Sequence, residues 1–251
     1  MTAAIPRLRM IAGPNGAGKS TIKTLLPAEL LGVYINPDEI EKEIREQGYL
    51  NLNPYGMIGK TDEIAAFFRD SDFLKTHGLS YVANHIRLSD GKLRFESVEV
   101  NAYITSAMAD FLRQKLLEQK VSFTFETVMS YSDKITLLEK AQSLGYRTYL
   151  YYIATEDVEI NISRVKNRVA LGGHPVPEDK IRSRYGKSLD LLMDAIRCTN
   201  RAFIFDNSSD GHGKTILIAE ITDGKTLVLK TNLTPAWFKH AVWDKIASQK
   251  S

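Results

Sequence analysis

Short apolar runs alternate with amphipathic stretches along most of this chain. Residues 8–12, 33–36, 121–125, 148–153 and 202–205 are runs of strand length, rich in aliphatic and aromatic side chains. The stretches between them have helical spacing. Residues 20–26 stop at Pro27, and 39–46 place Ile40 and Ile44 on one face. Residues 100–119 carry Ile104, Met108, Phe111, Leu112 and Leu116 on a stripe. Residues 134–144 close on Gly145, 156–171 end at Gly172-Gly173, and Pro177 opens a long helix over 178–198. Strand alternating with helix predicts the α/β class, a parallel sheet flanked by crossover helices.

Two regions depart from that rhythm. Residues 48–98 predict an insertion with its own small structure: a short helix over 62–68, then strands over 79–87 and 93–98 about the turn Asp90-Gly91-Lys92. After residue 209 comes a C-terminal extension. Residues 216–221 and 226–229 flank Thr222-Asp223-Gly224-Lys225, a β-hairpin pattern. Thr234-Pro235 then opens a last helix to about 247. The expected organisation is one domain over 1–251 with these two additions.

The turn after the first strand carries the clearest chemistry. Gly13-Pro14-Asn15-Gly16-Ala17-Gly18-Lys19-Ser20-Thr21 fits G-x-x-x-x-G-K-[ST] between a strand and a helix N-terminus. Glycines let several backbone N–H groups turn toward one point, and the helix end adds partial positive charge. Lys19 is placed to reach β- and γ-phosphates, and the Ser20 hydroxyl to ligate Mg²⁺. ATP and Mg²⁺ are therefore the expected ligands. Gly59-Lys60-Thr61, Gly213-Lys214-Thr215 and Gly224-Lys225-Thr226 imitate the end of the motif, but have Pro54, Ser208 and Ala219 where its first glycine belongs. They are expected to be ordinary turns.

Composition narrows the classes. Of 251 residues, 43% are hydrophobic and 25% charged, and the net charge of +3 is too mild to predict nucleic acid as the main partner. The single cysteine, Cys198, excludes an internal disulfide and a cysteine metal cluster, and is expected to be a half-buried helix residue. Residues 1–6 do not resemble a signal peptide, and no apolar run has membrane-spanning length. The expectation is a cytoplasmic protein with no membrane partner. His77, His85, His174, His212 and His240 are scattered, and Trp237 and Trp243 are expected to pack or lie at the surface.

Ligands of open parallel sheets bind beyond the carboxyl ends of the strands. Asp38, Glu126-Thr127 and Asp206-Asn207-Ser208 follow such ends here, so they are expected to face the phosphate loop. Asp38 and Glu126 are candidates for a catalytic or Mg²⁺ role; the alternatives are Glu39 as the carboxylate and Asp38 as a plain helix cap. A basic set completes the picture. Arg164 and Arg168 share a helix face, and Arg182 and Arg184 begin the next helix across Gly172-Gly173-His174-Pro175-Val176-Pro177. Arginines flanking such a hinge suit a lid that closes on a transferring phosphoryl group; the alternative is a solvated basic helix pair.

The loop, Asp38, the Phe125-Glu126-Thr127 strand end and the arginine segment around Gly172-Gly173-His174-Pro175-Val176-Pro177 together resemble the zeta-toxin P-loop kinases. The resemblance covers about 8–47 and 121–208. It implies a kinase moving the ATP γ-phosphate to UDP-N-acetylglucosamine, and a small helical antitoxin as partner. Under it Lys19 binds phosphate, Asp38 is the base for the sugar hydroxyl, and Glu126 and Thr127 contact substrate. Arg168 and Arg184 act from the lid on the phosphates, with Arg164 and Arg182 at the substrate. The competing readings are a kinase for another small acceptor, such as a nucleoside or nucleotide, and an ATP-driven binding switch. ABC-transporter ATPases share the loop, but their signature before an Asp-Glu strand end is lacking; Leu88-Ser89-Asp90-Gly91-Lys92 is the nearest imitation.

Overall fold

The computed structural model describes residues 4–57, 60–209 and 215–247. Along the chain come β1 (Arg7–Ala12), α1 (Lys19–Leu25), α2 (Ala28–Leu31), β2 (Val33–Ile35), α3 (Pro37–Gln47) and β3 (Leu50–Asn51). Next are α4 (Thr61–Asp70), α5 (Asp72–Thr76), β4 (Ile86–Ser89), β5 (Lys92–Phe95) and α6 (Ala102–Glu118). The strands β6 (Phe123–Thr127), β7 (Arg147–Ala154) and β8 (Arg201–Asp206) are separated by helices. These are α7 (Asp133–Ser143), α8 (Val158–Ala170), α9 (Glu178–Asp190) and α10 (Leu192–Arg197). The chain closes with β9 (Ile216–Thr222), β10 (Thr226–Leu229), α11 (Ala236–Phe238) and α12 (Asp244–Ala247). Contacts cluster into two units, one of the residues up to Leu31 with those from Thr124 onward, the other Gly32–Phe123.

The first unit is built on a mostly parallel sheet in the order β10-β9-β8-β7-β1-β6. β1 pairs with β7, and β7 with β8, in parallel register, with Met10 beside Leu150 and Leu150 beside Ala202. Strands covered on both sides read as unbroken apolar runs, and Met10, Ile11, Leu150, Ile153 and Ile204 are fully buried. β9 and β10 add antiparallel at the far edge. Their turn needs left-handed backbone at both central residues, and Asp223 and Gly224 supply φ of 49° and 64°. Thus Gly224-Lys225-Thr226 is an ordinary turn; Gly59, Gly213 and Lys214 of the other imitations, and His212, lie outside the described residues.

Tyr152, fully buried, shares a hydrogen bond with Ser188 on α9 and packs beside Trp237. Trp237 is itself buried and donates to Asp206 Oδ1 at 2.8 Å, so it packs as expected, while Trp243 is exposed. Cys198 is half-buried at the end of α10, and burial beside Glu139 pushes its thiol up to about 11.

The second unit holds the region expected to be an insertion. α3 packs on α6, and β3-β5-β4 form a small antiparallel sheet. Phe68 is fully buried, and its ring lies 5.8 Å from Phe95; Phe67 meets Phe111 edge-on. Asn36 caps α3, its side chain accepting from the Asp38 N–H at 2.9 Å, with Pro37 in the first turn.

Several boundaries differ from the pattern-based ones. The strand expected over 79–87 is a 3-10 turn over Ser80–His85 followed by β4; the Val82 N–H bonds back locally to the Leu79 carbonyl at 3.2 Å, and Val82 and Ala83 are both buried. β6 begins two residues late, since Val121 N–H is still bound to the Leu116 carbonyl at the end of α6. The strand runs on to Thr127, so Glu126 and Thr127 are its last two residues. The long helix over 178–198 breaks at Leu191, beyond which Leu192, Met193, Ala195 and Ile196 all bury.

Candidate nucleotide site

Ala12 ends β1 and the chain enters the loop with the Gly13 N–H bound to the Thr127 carbonyl at 3.2 Å. The strand end carrying Glu126 and Thr127 is thus tied to the phosphate loop, as the sheet-end rule predicts. Glu126 is 8% exposed, and Thr127 turns its hydroxyl oxygen to the Met129 N–H at 3.0 Å. Gly18, left-handed at φ 105°, leads into α1 without a side-chain cap, so no capping side chain takes up the first N–H groups of the helix. Lys19 curls back so that Nζ donates to the carbonyls of Gly13 at 2.8 Å and Pro14 at 3.1 Å. Its ammonium is held inside the arc of the loop. Ser20 and Thr21 are exposed at the start of α1.

The loop is clamped from outside. Asn161, fully buried in the first turns of α8, donates from Nδ2 to the Asn15 carbonyl at 2.6 Å and accepts from the Thr155 hydroxyl. Asn207, just past β8, donates from Nδ2 to the Ala17 carbonyl at 2.8 Å. Gly16 has φ 78°, and a side chain there would fall 2.5 Å from the Asn161 carbonyl. Only glycine admits both that backbone and that approach. Asn15 Oδ1 is buried without a hydrogen-bond partner, an acceptor left open within the loop. Turned N–H groups, an enclosed ammonium and a helix start are the donor set that a polyphosphate requires, so the residues present fit ATP, with Ser20 the hydroxyl available to its Mg²⁺.

The four arginines have different surroundings. Arg164 donates to the carbonyls of Asn207 at 2.7 Å and Ser209 at 2.9 Å, joining α8 to the chain after β8. Arg168 donates to the His174 carbonyl at 3.1 Å, and Gly173 packs against its stem. Val176 of the same segment rests on Ile162, Val165 and Ile181, so the hinge is fastened at its base. Arg182 points outward and is held by Glu159 and Glu178, which push its already high pKa further up; Arg182, with Lys166, in turn holds the Glu178 carboxyl below its usual range. Arg184 is half-buried, three residues from Ile181 on the inward face of α9, and has no ion-pair partner among the described residues.

Asp38 lies in the second unit, exposed in the first turn of α3. Asn36 is the cap of that helix, which removes capping as the reason for an acid at 38. Glu39 and Glu43 of the same helix, after burial itself, push the Tyr55 hydroxyl up to about 12. Sequence reasoning missed Asn161, Thr155 and the Trp237–Asp206 pair. Asn161 carries a signal in hindsight, a polar residue beside Ile162 and Val165 on a buried helix stripe. Among the described residues no group of three histidine, cysteine, aspartate or glutamate side chains is gathered to hold a metal.

A strand ending in this loop, the helix that follows it, and its place inside a mostly parallel sheet beside the parallel β7 define a P-loop kinase-like α/β fold. Residues 95–217 match the family model of the zeta toxins, which takes in Glu126, Thr127 and the four arginines but not the phosphate loop. The chain is thus similar to the zeta-toxin P-loop kinases, as its motifs imply. A chain of the AvrRxo1-ORF1:AvrRxo1-ORF2 crystal structure with sulphate ions superposes with a TM-score of 0.54 at 14% identity, over 97% of this chain and 64% of that one. A structure from the PezAT toxin-antitoxin system of Streptococcus pneumoniae aligns with a TM-score of 0.49 at 14% identity, over 99% of this chain and 86% of that one. An uncharacterised protein of Haemophilus influenzae is 36% identical over 69 residues, 28% of this chain and 49% of that protein. The chain therefore spans about half the length of that relative and under two thirds of the AvrRxo1 chain. Among the described residues no helix is long and apolar enough to cross a membrane.

Proposed function

We propose that this protein is an ATP-dependent phosphotransferase that moves the γ-phosphate to a hydroxyl of a small molecule, with UDP-N-acetylglucosamine as the acceptor and a small helical antitoxin as its partner. The observation that carries the reading is the loop itself: Lys19 Nζ held within the arc of Gly13–Lys19, with the helix start behind it.

Bound ATP with Mg²⁺ would supply the phosphoryl group, and Ser20 is the residue that would ligate the cation. Lys19 neutralises charge at the β- and γ-phosphate oxygens. Asp38 accepts the proton of the acceptor hydroxyl, or orients that hydroxyl in line. Glu126 and Thr127, at the end of β6, contact the acceptor. Arg184, half-buried and without an ion-pair partner among the described residues, meets charge that develops during transfer, and Arg168, bound to the His174 carbonyl, acts with it from the hinge. Arg164 and Arg182 act at the edge of this site. An acceptor site needs both a base and cations, whereas an ATP switch needs neither in those places.

The test is incubation of the protein with ATP, Mg²⁺ and a metabolite extract, read by mass spectrometry, beside pure UDP-N-acetylglucosamine. A gain of one phosphate on a small molecule, absent with Lys19→Ala, is the expected result. ATP hydrolysis with no phosphorylated acceptor in either mixture would overturn the kinase reading.

A further inference from the structure

In a trans peptide the C=O and N–H groups point in opposite directions. Two carbonyls of the phosphate loop are held from outside by side-chain amides: Asn15 by Asn161 Nδ2 at 2.6 Å, and Ala17 by Asn207 Nδ2 at 2.8 Å. The N–H groups on the far side of those same two peptides belong to Gly16 and Gly18. Neither has a hydrogen-bond partner among the described residues. We propose that Asn161 and Asn207 are positioning residues for phosphate binding, each holding one loop carbonyl outward and thereby aiming the Gly16 or Gly18 N–H at the phosphates. This rests on the nucleotide reading of the loop.

The chemistry of the contacts sets their direction. A carbonyl only accepts, so the amide nitrogen of each asparagine must face it. Each amide is locked in that orientation from its other end. The Thr155 hydroxyl donates to Asn161 Oδ1, with both residues fully buried, and the Thr215 hydroxyl donates to Asn207 Oδ1 at 3.2 Å. Arg164 adds a second restraint by gripping the Asn207 main-chain carbonyl at 2.7 Å. Without the amides, either peptide is free to rotate, and a half-turn would present a carbonyl oxygen to an anion. Donors fixed before the ligand arrives need no reorganisation when it binds, and this is where such restraints act.

Three residues of α8 share one face and link three parts of the unit. Asn161 reaches the loop, Arg164 the chain after β8, and Arg168 the hinge at His174. The positioning pair therefore has one member on the helix that also carries the lid arginine.

The experiment uses ¹⁵N-labelled full-length protein titrated with inorganic pyrophosphate, as wild type, Asn161→Leu and Asn207→Leu. In wild type the Gly16 and Gly18 amide signals should move downfield on binding. Asn161→Leu should blunt the Gly16 shift and spare Gly18, Asn207→Leu the reverse, and each should weaken pyrophosphate roughly tenfold to a hundredfold. A merely structural role would blunt both glycines together. That outcome, or unchanged affinity in both variants, overturns the positioning proposal and leaves the nucleotide reading intact. If a variant fails to fold, the wild-type signals decide: pyrophosphate binding that moves Lys19 and Ser20 but neither glycine overturns it. No pyrophosphate binding by wild type overturns the nucleotide reading itself.

Discussion

Alanine at Gly16 and at Gly48 separates backbone strain from close packing, because the two glycines share a dihedral and differ in their neighbours. Gly16 has φ 78° and Gly48 φ 76°. An alanine held left-handed costs ~1–2 kcal/mol, of which ~0.4–1 kcal/mol is returned by the stiffer unfolded chain. Gly48, closing α3, has nothing within 4 Å of the added Cβ, so its variant should lose only about 1 kcal/mol. At Gly16 the Cβ lands 2.5 Å from the Asn161 carbonyl oxygen, 3.0 Å from its Cα and 3.1 Å from its carbonyl carbon. All three are helix backbone and cannot swing aside. Forcing the loop away from α8 adds ~1–3 kcal/mol, for a total of about 2–4 kcal/mol. Urea denaturation followed by far-ultraviolet circular dichroism measures both variants. Tryptophan fluorescence reads Gly16→Ala separately, since Trp237 and Trp243 lie in its unit. Gly16→Ala should also weaken pyrophosphate, whereas Gly48→Ala should not. Equal destabilisation by the two variants, with pyrophosphate binding retained, would refute the packing of the loop on α8.

Two further predictions address the chemistry. Asp38→Asn should fold, because Asn36 and not Asp38 caps α3, and should lose only the first-turn charge effect of ~0.3–1 kcal/mol. It should bind ATP like wild type by calorimetry and fail to phosphorylate the acceptor; retained phosphorylation at the wild-type rate would move the base to Glu126 or Glu39. Arg184→Ala should lower kcat by roughly 2–4 kcal/mol of barrier while changing ATP affinity little, since its guanidinium has no ion pair to lose among the described residues. Steady-state kinetics with an unchanged kcat would remove it from the lid chemistry.

Local rules settle much of this molecule from the sequence alone. The phosphate loop is legible because its constraints are local: a short, mostly apolar strand, glycines at fixed offsets and Lys19-Ser20 opening a helix. The alternation of apolar runs and helical stripes likewise foretells β7, β8 and the hairpin about Asp223-Gly224, since burial on two faces and a left-handed turn each leave a mark on neighbouring residues. Short elements in the region 48–98 were less legible. Val82 and Ala83 fit a strand by composition, but their joint burial is decided by what packs around them. Only the tertiary structure could distinguish the arginines. Arg182 and Arg184 are two residues apart in one helix, yet one is taken up by Glu159 and Glu178 while the other faces inward. The same holds for Asn161, which meets the loop from 146 residues away, whereas Asn207 follows a strand end and was placed near the loop by that rule, though not its bond to the Ala17 carbonyl. A hydrogen bond between side chain and distant backbone depends on which elements the sheet brings together, and no local pattern of apolar and polar positions encodes that partner.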